Sequence, residues 1–262
     1  MPLVGELPYR PWAQRGQVVE GEFRWRLGTH PLDLANWIEW GPDAPGWIDE
    51  KPALLAAHRD TVFSVLDGIE PEADEVATAI AHHVGADLDT SMHPLEAAAR
   101  LVPDDLVLMV ERDDRFVFGG GSVCFPNRWD LPSKIGRTMA EVHAPVADLN
   151  RQLEPAIDAF FDRLRPERSF WRLGWGLIDS PDGFEPPRSS PRPSVHPDDD
   201  DVYVRVERET LRRFPVTNCV LFTIRTYLAP ITTLSADDRS RVRAAVAAMA
   251  PGVRAYKDVV SG

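Results

Sequence analysis

Cysteine is nearly absent from this chain. Cys124 and Cys219 are the only two among 262 residues, too few for a disulfide framework or for the ligand set of an iron–sulfur cluster. Positive charge is also short. With 29 Lys and Arg against 41 Asp and Glu, the formal charge is -12, which excludes a phosphate-binding nucleic-acid surface and suits solubility or a basic partner protein. No window holds the ~18 to 20 consecutive apolar residues of a membrane span, so we expect no membrane segment. Pro2, Pro8 and Pro11 interrupt the N-terminal stretch, and we expect no secretory leader and a cytoplasmic protein. The chain has no dinucleotide fingerprint. Gly119-Gly120-Gly121 lacks the Lys-Ser/Thr of a phosphate loop and no helical pattern follows it, so it reads as a bulge or a point of close approach to the backbone.

Tryptophan, by contrast, is abundant. Eight in this length lean towards large apolar pockets or stacking surfaces. Residues 1–50 hold Trp12, Trp25, Trp37, Trp40 and Trp47 without sustained periodicity, and read as an irregular arm anchored by its aromatics. Residues 51–102 read as a helical extension. Leu54, Leu55, His58, Val62 and Leu66 mark one helix, Val76, Ile80 and Val84 a second after the Asp67-Gly68 break, and Pro94 to Leu101 a third. His82 and His83 are adjacent, so on a helix they diverge by about 100° and cannot pair as metal ligands.

From residue 103 to 262 the pattern turns to strands. Leu106 to Val110 and Arg115 to Phe118 read as a hairpin around Asp113-Asp114. Leu149, Leu153, Ile157, Phe160, Phe161 and Leu164 mark a helix that starts or kinks near Pro155. Trp171, Leu173, Trp175 and Leu177 alternate with Arg172, Gly174 and Gly176, and further alternation runs from Val202 to Glu207 and from Val220 to Leu228. Residues 180–201, with five prolines before His196 and the run Asp198 to Asp201, read as a mobile loop or lid. Ser235 with Asp238 caps a last helix that Pro251-Gly252 is expected to stop. Five strands in hairpin-like order with helices between them predict an antiparallel α+β domain.

Chemistry gathers between these elements. Cys124-Phe125-Pro126, Trp129, Lys134-Ile135-Gly136 and His143-Ala144-Pro145-Val146 follow one another, then come Arg172 and Trp175, then Arg205 to Leu211. This order resembles the DUF3445 family, which includes the haem subunits of haem-dependent oxidative N-demethylases. The likeness runs from about Phe23 to Tyr227, more weakly in the arm. It implies a PAS-like sheet around a haem b pocket. His143, placed in a turn before Pro145, is then the first choice of axial iron ligand, against the plainer role of tying down its loop. Cys124 is the rival ligand as a thiolate, against the plainer role of a buried apolar filler.

Trp129 would contact the cofactor. Arg172, Arg208 and Arg225 would hold its propionates, although Arg205 and Arg225 would serve as well paired with Glu207 or Glu209. Glu207 would draw in a protonated amine and accept its proton, with Trp175 or Tyr203 as an aromatic wall. One position departs from the family: Gly174 stands where an asparagine is common, and it leaves a hole.

The resemblance therefore implies an oxygenase component that uses O2 to remove an N-methyl group from a small alkylamine, releasing formaldehyde and the shorter amine. Its electrons would come from a separate flavin and iron–sulfur reductase. The alternatives are a non-catalytic haem-binding sensor or carrier, and a haem-free ligand-binding module.

Overall fold

Alternating side chains along the strand-like runs assemble into one seven-stranded antiparallel sheet flanked by helices, the α+β class expected. A computed structural model describes residues 3–14, 18, 19, 21–146, 149–187 and 193–261. In chain order its elements are a ribbon of β1 (Val18–Val19) and β2 (Glu22–Phe23), then β3 (His30–Leu32), α1 (Ala44–Ala57), α2 (Arg59–Val62), β4 (Phe63–Val65), α3 (Glu70–Val84) and α4 (Pro94–Ala99). There follow β5 (Asp105–Arg112), β6 (Arg115–Ser122), α5 (Met139–His143), α6 (Leu149–Arg163), β7 (Ser169–Ile178), β8 (Tyr203–Arg213), β9 (Val220–Pro230), α7 (Ala236–Ala248) and α8 (Pro251–Tyr256). The sheet order is β3-β7-β8-β9-β5-β6-β4.

The β5–β6 hairpin shows how local sequence sets this geometry. Asp113 and Asp114 take φ of 50° and 61°, the left-handed pair that a two-residue hairpin turn requires. Further on, Leu108 faces Gly120 while Met109 faces Phe118, so Gly119 is the extra residue of a bulge. A Cβ on Gly119 would lie 2.7 and 2.8 Å from the two methyls of Val110, which explains the missing side chain.

Several boundaries differ from the sequence reading. The arm supplies β3 at one sheet edge, and residues 63–65, read as helix, form β4 at the other. The long helix begins earlier, at Ala44, and breaks at His58. α6 starts at Leu149 and carries Pro155 inside it. Pro251 does not end the last helix region but opens α8, the first-turn position where a missing N–H costs nothing. Residues 188–192 of the expected lid lie outside the described residues. Its flanks are packed: Phe184 stacks on His58, Glu185 is buried and bridges to Asn127, and buried Val195 bridges to Val259. Of the aspartate run, Asp198 and Asp200 pair with Arg243 and Arg239 of α7.

The two faces of the sheet are filled differently. On one, α7 packs Val242 and Val246 on Val204, Val206 and Tyr227, while α3 and α4 pack Val76, Ile80 and Leu95 on Leu106, Leu108 and Leu221. On the other, α5 and α6 lay Val142, Ile157 and Phe161 against Val107, Met109 and Phe118. This second face is incompletely filled, and a cavity results.

Candidate functional site

The cavity measures about 590 Å3, inside the ~300–1,000 Å3 range of small-molecule and cofactor pockets. Its floor is β7 and β8, which present Arg172, Gly174 and Gly176 beside Arg205, Glu207 and Glu209. α5 and α6 form the opposite wall with His143, Leu149, Ile157 and Phe161. Trp25 and Leu27 of the arm, Trp129 and Lys134, and the C-terminal residues Tyr256 to Asp258 complete it.

His143 is the last residue of α5, a helix end rather than the free turn read from sequence. A capping box sets that helix. Thr138 Oγ1 accepts from the Glu141 N–H, and Glu141 Oε2 accepts from the Thr138 N–H at 2.8 Å. Val142, buried in the core, fixes the helix against the sheet and so fixes where His143 projects. Burial, and then the charges of Arg172 and Lys134, lower the imidazole pKa to about 4. A helix C-terminus would favour the imidazolium, but five residues give a weak dipole and desolvation wins. The ring is therefore neutral at pH 7, the form that ligates metals. Its Nδ1 is buried without a hydrogen-bond partner among the described residues.

The floor is a row of paired charges. Arg172 is cross-strand to Glu209 and donates to both its oxygens, at 2.8 and 3.2 Å. Arg205 donates to Glu207 Oε1 at 2.7 Å and to the Phe125 carbonyl at 2.6 Å. Gly174 lies between, opposite Glu207. A Cβ placed on it would stand 3.3 Å from Glu209 Oε1 and 3.5 Å from Glu207 Oε2, so the two carboxylates converge over a bare backbone. At the mouth, Lys257 donates to the Trp175 carbonyl at 2.8 Å, and Arg128 ties Asp258 to Asp179. Burial lowers the Lys257 pKa to about 8, with Glu207 opposing the shift.

Of the residues singled out from sequence, the structure brings His143, Arg172, Glu207, Trp129 and Trp175 to this cavity. It does not bring Cys124, Arg208, Arg225 or Tyr203 there. Arg208 and Arg225 face the opposite side of the sheet, where Arg208 donates to the Asn36 and Trp37 carbonyls and pairs with Glu39, and Arg225 pairs with Asp43 at 2.6 Å. Tyr203 packs at the strand end beside Trp47, Phe125 and Ile178. Cys124 is fully buried in that same cluster, and burial pushes its thiol up to about 12, so it is no thiolate at neutral pH. We predict that Cys124 resists thiol reagents in the native protein and reacts only on unfolding; stoichiometric labelling of native Cys124, located by mass spectrometry, would contradict this.

Sequence reasoning missed Lys257, Trp25, Arg128 and Lys134 as cavity residues. Only Lys134 carried a signal, its place in the Lys-x-Gly motif. Among the described residues no group of three or more His, Cys, Asp or Glu is arranged to hold a metal ion, and no helix is long and apolar enough to cross a membrane.

An antiparallel sheet whose floor of ion pairs faces a neutral histidine across a cavity defines an α+β protein built around an internal cavity. A sequence model of one protein family, described as haem-dependent oxidative N-demethylase, alpha subunit-like, matches residues 80–261. That span takes in every cavity-lining residue except Trp25, Leu27 and Thr29. The chain belongs to this family and is an N-demethylase-like oxygenase subunit.

Proposed function

We propose that the chain binds one haem b in this cavity and removes an N-methyl group from a small alkylamine, with O2 as oxidant and a separate flavin and iron–sulfur protein as electron donor. The observation that carries the reading is His143: neutral, its Nδ1 unpartnered among the described residues, on the wall of a cavity of about 590 Å3. A macrocycle brings four equatorial nitrogens of its own, so one histidine suffices as the protein ligand. Arg172 and Lys134, which line the same cavity as His143, would receive the propionates. Lys134 retains donors for this, since its one hydrogen bond among the described residues, to the Val142 carbonyl, is long at 3.5 Å.

Bound haem supplies the one-electron chemistry with dioxygen at iron. The chain's own residues handle the amine. Arg205 holds Glu207 Oε1, which leaves Oε2 directed over Gly174 into the cavity, where it attracts an ammonium and accepts its proton before oxidation. Trp25, which lines the cavity, offers an aromatic face to the same cation, worth ~0.5–2 kcal/mol. The paired arginines hold both carboxylates oriented on the cavity floor. Both cysteines are buried and single, which supports an external source of electrons.

Protein purified from haem-supplemented cells is expected to show a stoichiometric Soret band. With reductase and an N-methylamine it is expected to release formaldehyde in step with O2 consumption. A Soret band with no formaldehyde from any methylamine would leave a haem carrier; no Soret band after haemin titration would overturn the proposal.

A further inference from the structure

The buried charges behind the sheet, on the side away from the cavity, do not balance. Alternation along β5 puts Asp104 on that face with Leu106 and Leu108, while Asp105 turns to the cavity. The cations acting on Asp104 are Arg225 and Arg208 of the neighbouring strands and Lys51 of α1. Asp43 answers Arg225, and Glu39 answers Arg208. On α4, Glu96 pairs with Arg59 and Arg100. Among the described residues Lys51 is thus left to serve two carboxylates, Asp104 and Asp105, and all three side chains are buried. The two acids differ in what they receive. Asp105 accepts the Cys124 N–H at 2.8 Å and the Phe125 N–H at 3.0 Å. Neither carboxyl oxygen of Asp104 has a hydrogen-bond partner among the described residues. The Lys51 ammonium donates instead to two backbone carbonyls, that of Ala99 at the end of α4 and that of Asp104 just before β5. These bonds staple α1 to α4 and to the sheet. Burial raises the carboxyl pKa of both Asp104 and Asp105 to about 6, against the pull of the surrounding cations. A buried carboxylate without a donor is costly, and a proton on Asp104 removes that cost and leaves one carboxylate facing one lysine.

We infer that Asp104 is a proton-operated latch: as the carboxylic acid it lets α1 and α4 close on the sheet, and on ionising it loosens them. The latch goes beyond the demethylase reading and works with or without a cofactor. Asp104 rather than Asp105 carries the proton, because the two N–H donors at Asp105 favour its charged form. The folded chain holds the proton of Asp104 to a higher pH than the unfolded chain does. Its stabilisation is therefore complete below the ordinary carboxyl range and is lost as the pH rises through about 6.

D104N is the test, because it keeps the shape of the side chain and carries no charge at any pH. Urea melts of the full chain and of D104N are compared at constant salt from about pH 4 to about pH 8, which spans both carboxyl values. Each pH unit between those values is worth up to about ten-fold in the unfolding constant, so the parent should lose more than about ten-fold against D104N across the range. Groups that titrate equally in both chains cancel in this comparison. Amide-exchange protection of α1 and α4, corrected for the intrinsic rate, should fall over the same range in the parent and hold in D104N. The infrared band of a buried carboxylic acid should be present in the parent near pH 5 and missing from D104N. Should D104N fold poorly by circular dichroism, D104S replaces it. A stability gap that stays constant with pH would overturn the latch. So would equal protection of α1 and α4 in the two chains, or a buried carboxylic acid band that survives in D104N.

Discussion

The His143→Ala protein is expected to leave haem-supplemented cells without a stoichiometric Soret band, while its apoprotein melts close to the parent. The two halves of this result have separate causes. On the proposed reading His143 would be the one bond from the chain to the iron. Loss of even an outer partner of a metal ligand costs about 10–100-fold in affinity, so loss of the ligand itself should cost at least that much. Stability has no comparable stake in the imidazole. Its Nδ1 is buried without a partner among the described residues, so the ring pays a desolvation cost of about 1–3 kcal/mol that alanine does not incur, roughly offsetting the lost packing. The structural work at this corner belongs to buried Val142 and to the Thr138–Glu141 capping box, both untouched. Pyridine haemochrome content per chain measures the first half, and an apoprotein thermal melt the second. Full haem occupancy with an unchanged spectrum in His143→Ala would remove the histidine from the iron and leave the cavity without an identified protein ligand.

How far the site was legible in sequence comes down to strand parity. The alternation along β7 and β8 was visible, and so was the fact that Arg205, Glu207 and Glu209 share one face while Arg208 points to the other. Which face borders the cavity was not visible, because both carry arginine in apolar company. The motifs thus led equally to Arg172, which lies in the cavity, and to Arg208, which with its cross-strand neighbour Arg225 lies on the far side. The strands β3 and β4 span three residues each, too short for any period to register. Pro251 is ambiguous by nature, since the missing N–H that ends one helix also suits the first turn of the next. Reading it as a stop concealed α8, and with it the placement of Lys257 in the cavity. Gly119 was legible as a bulge because three glycines in a strand allow few other meanings.

The far face yields the largest expected loss of stability. Arg225 is fully buried, and Arg208 stands directly across from it on β8, two like charges on adjacent strands that would repel unless each has its own acid. Glu39 serves Arg208 and Asp43 serves Arg225, and Asp43 Oδ2 also accepts from the Trp47 indole N–H at 2.9 Å. Asp43→Ala removes that carboxylate and strands a guanidinium in the core. Breaking a buried pair in this way costs about 3–5 kcal/mol, a large share of the ~5–15 kcal/mol that holds a typical domain together. The expected outcome is a lower urea midpoint at unchanged slope. Adding Arg225→Met should recover much of the loss, because the double variant contains no unpaired charge. Haem content per folded chain should be the same in all three proteins, since the sheet separates this pair from the cavity. If instead Asp43→Ala costs under ~1 kcal/mol, the range of an exposed pair, and Arg225→Met lowers haem content, then Arg225 serves the cofactor. Stability and haem occupancy measured on the same variants therefore decide which side of the sheet this arginine works for.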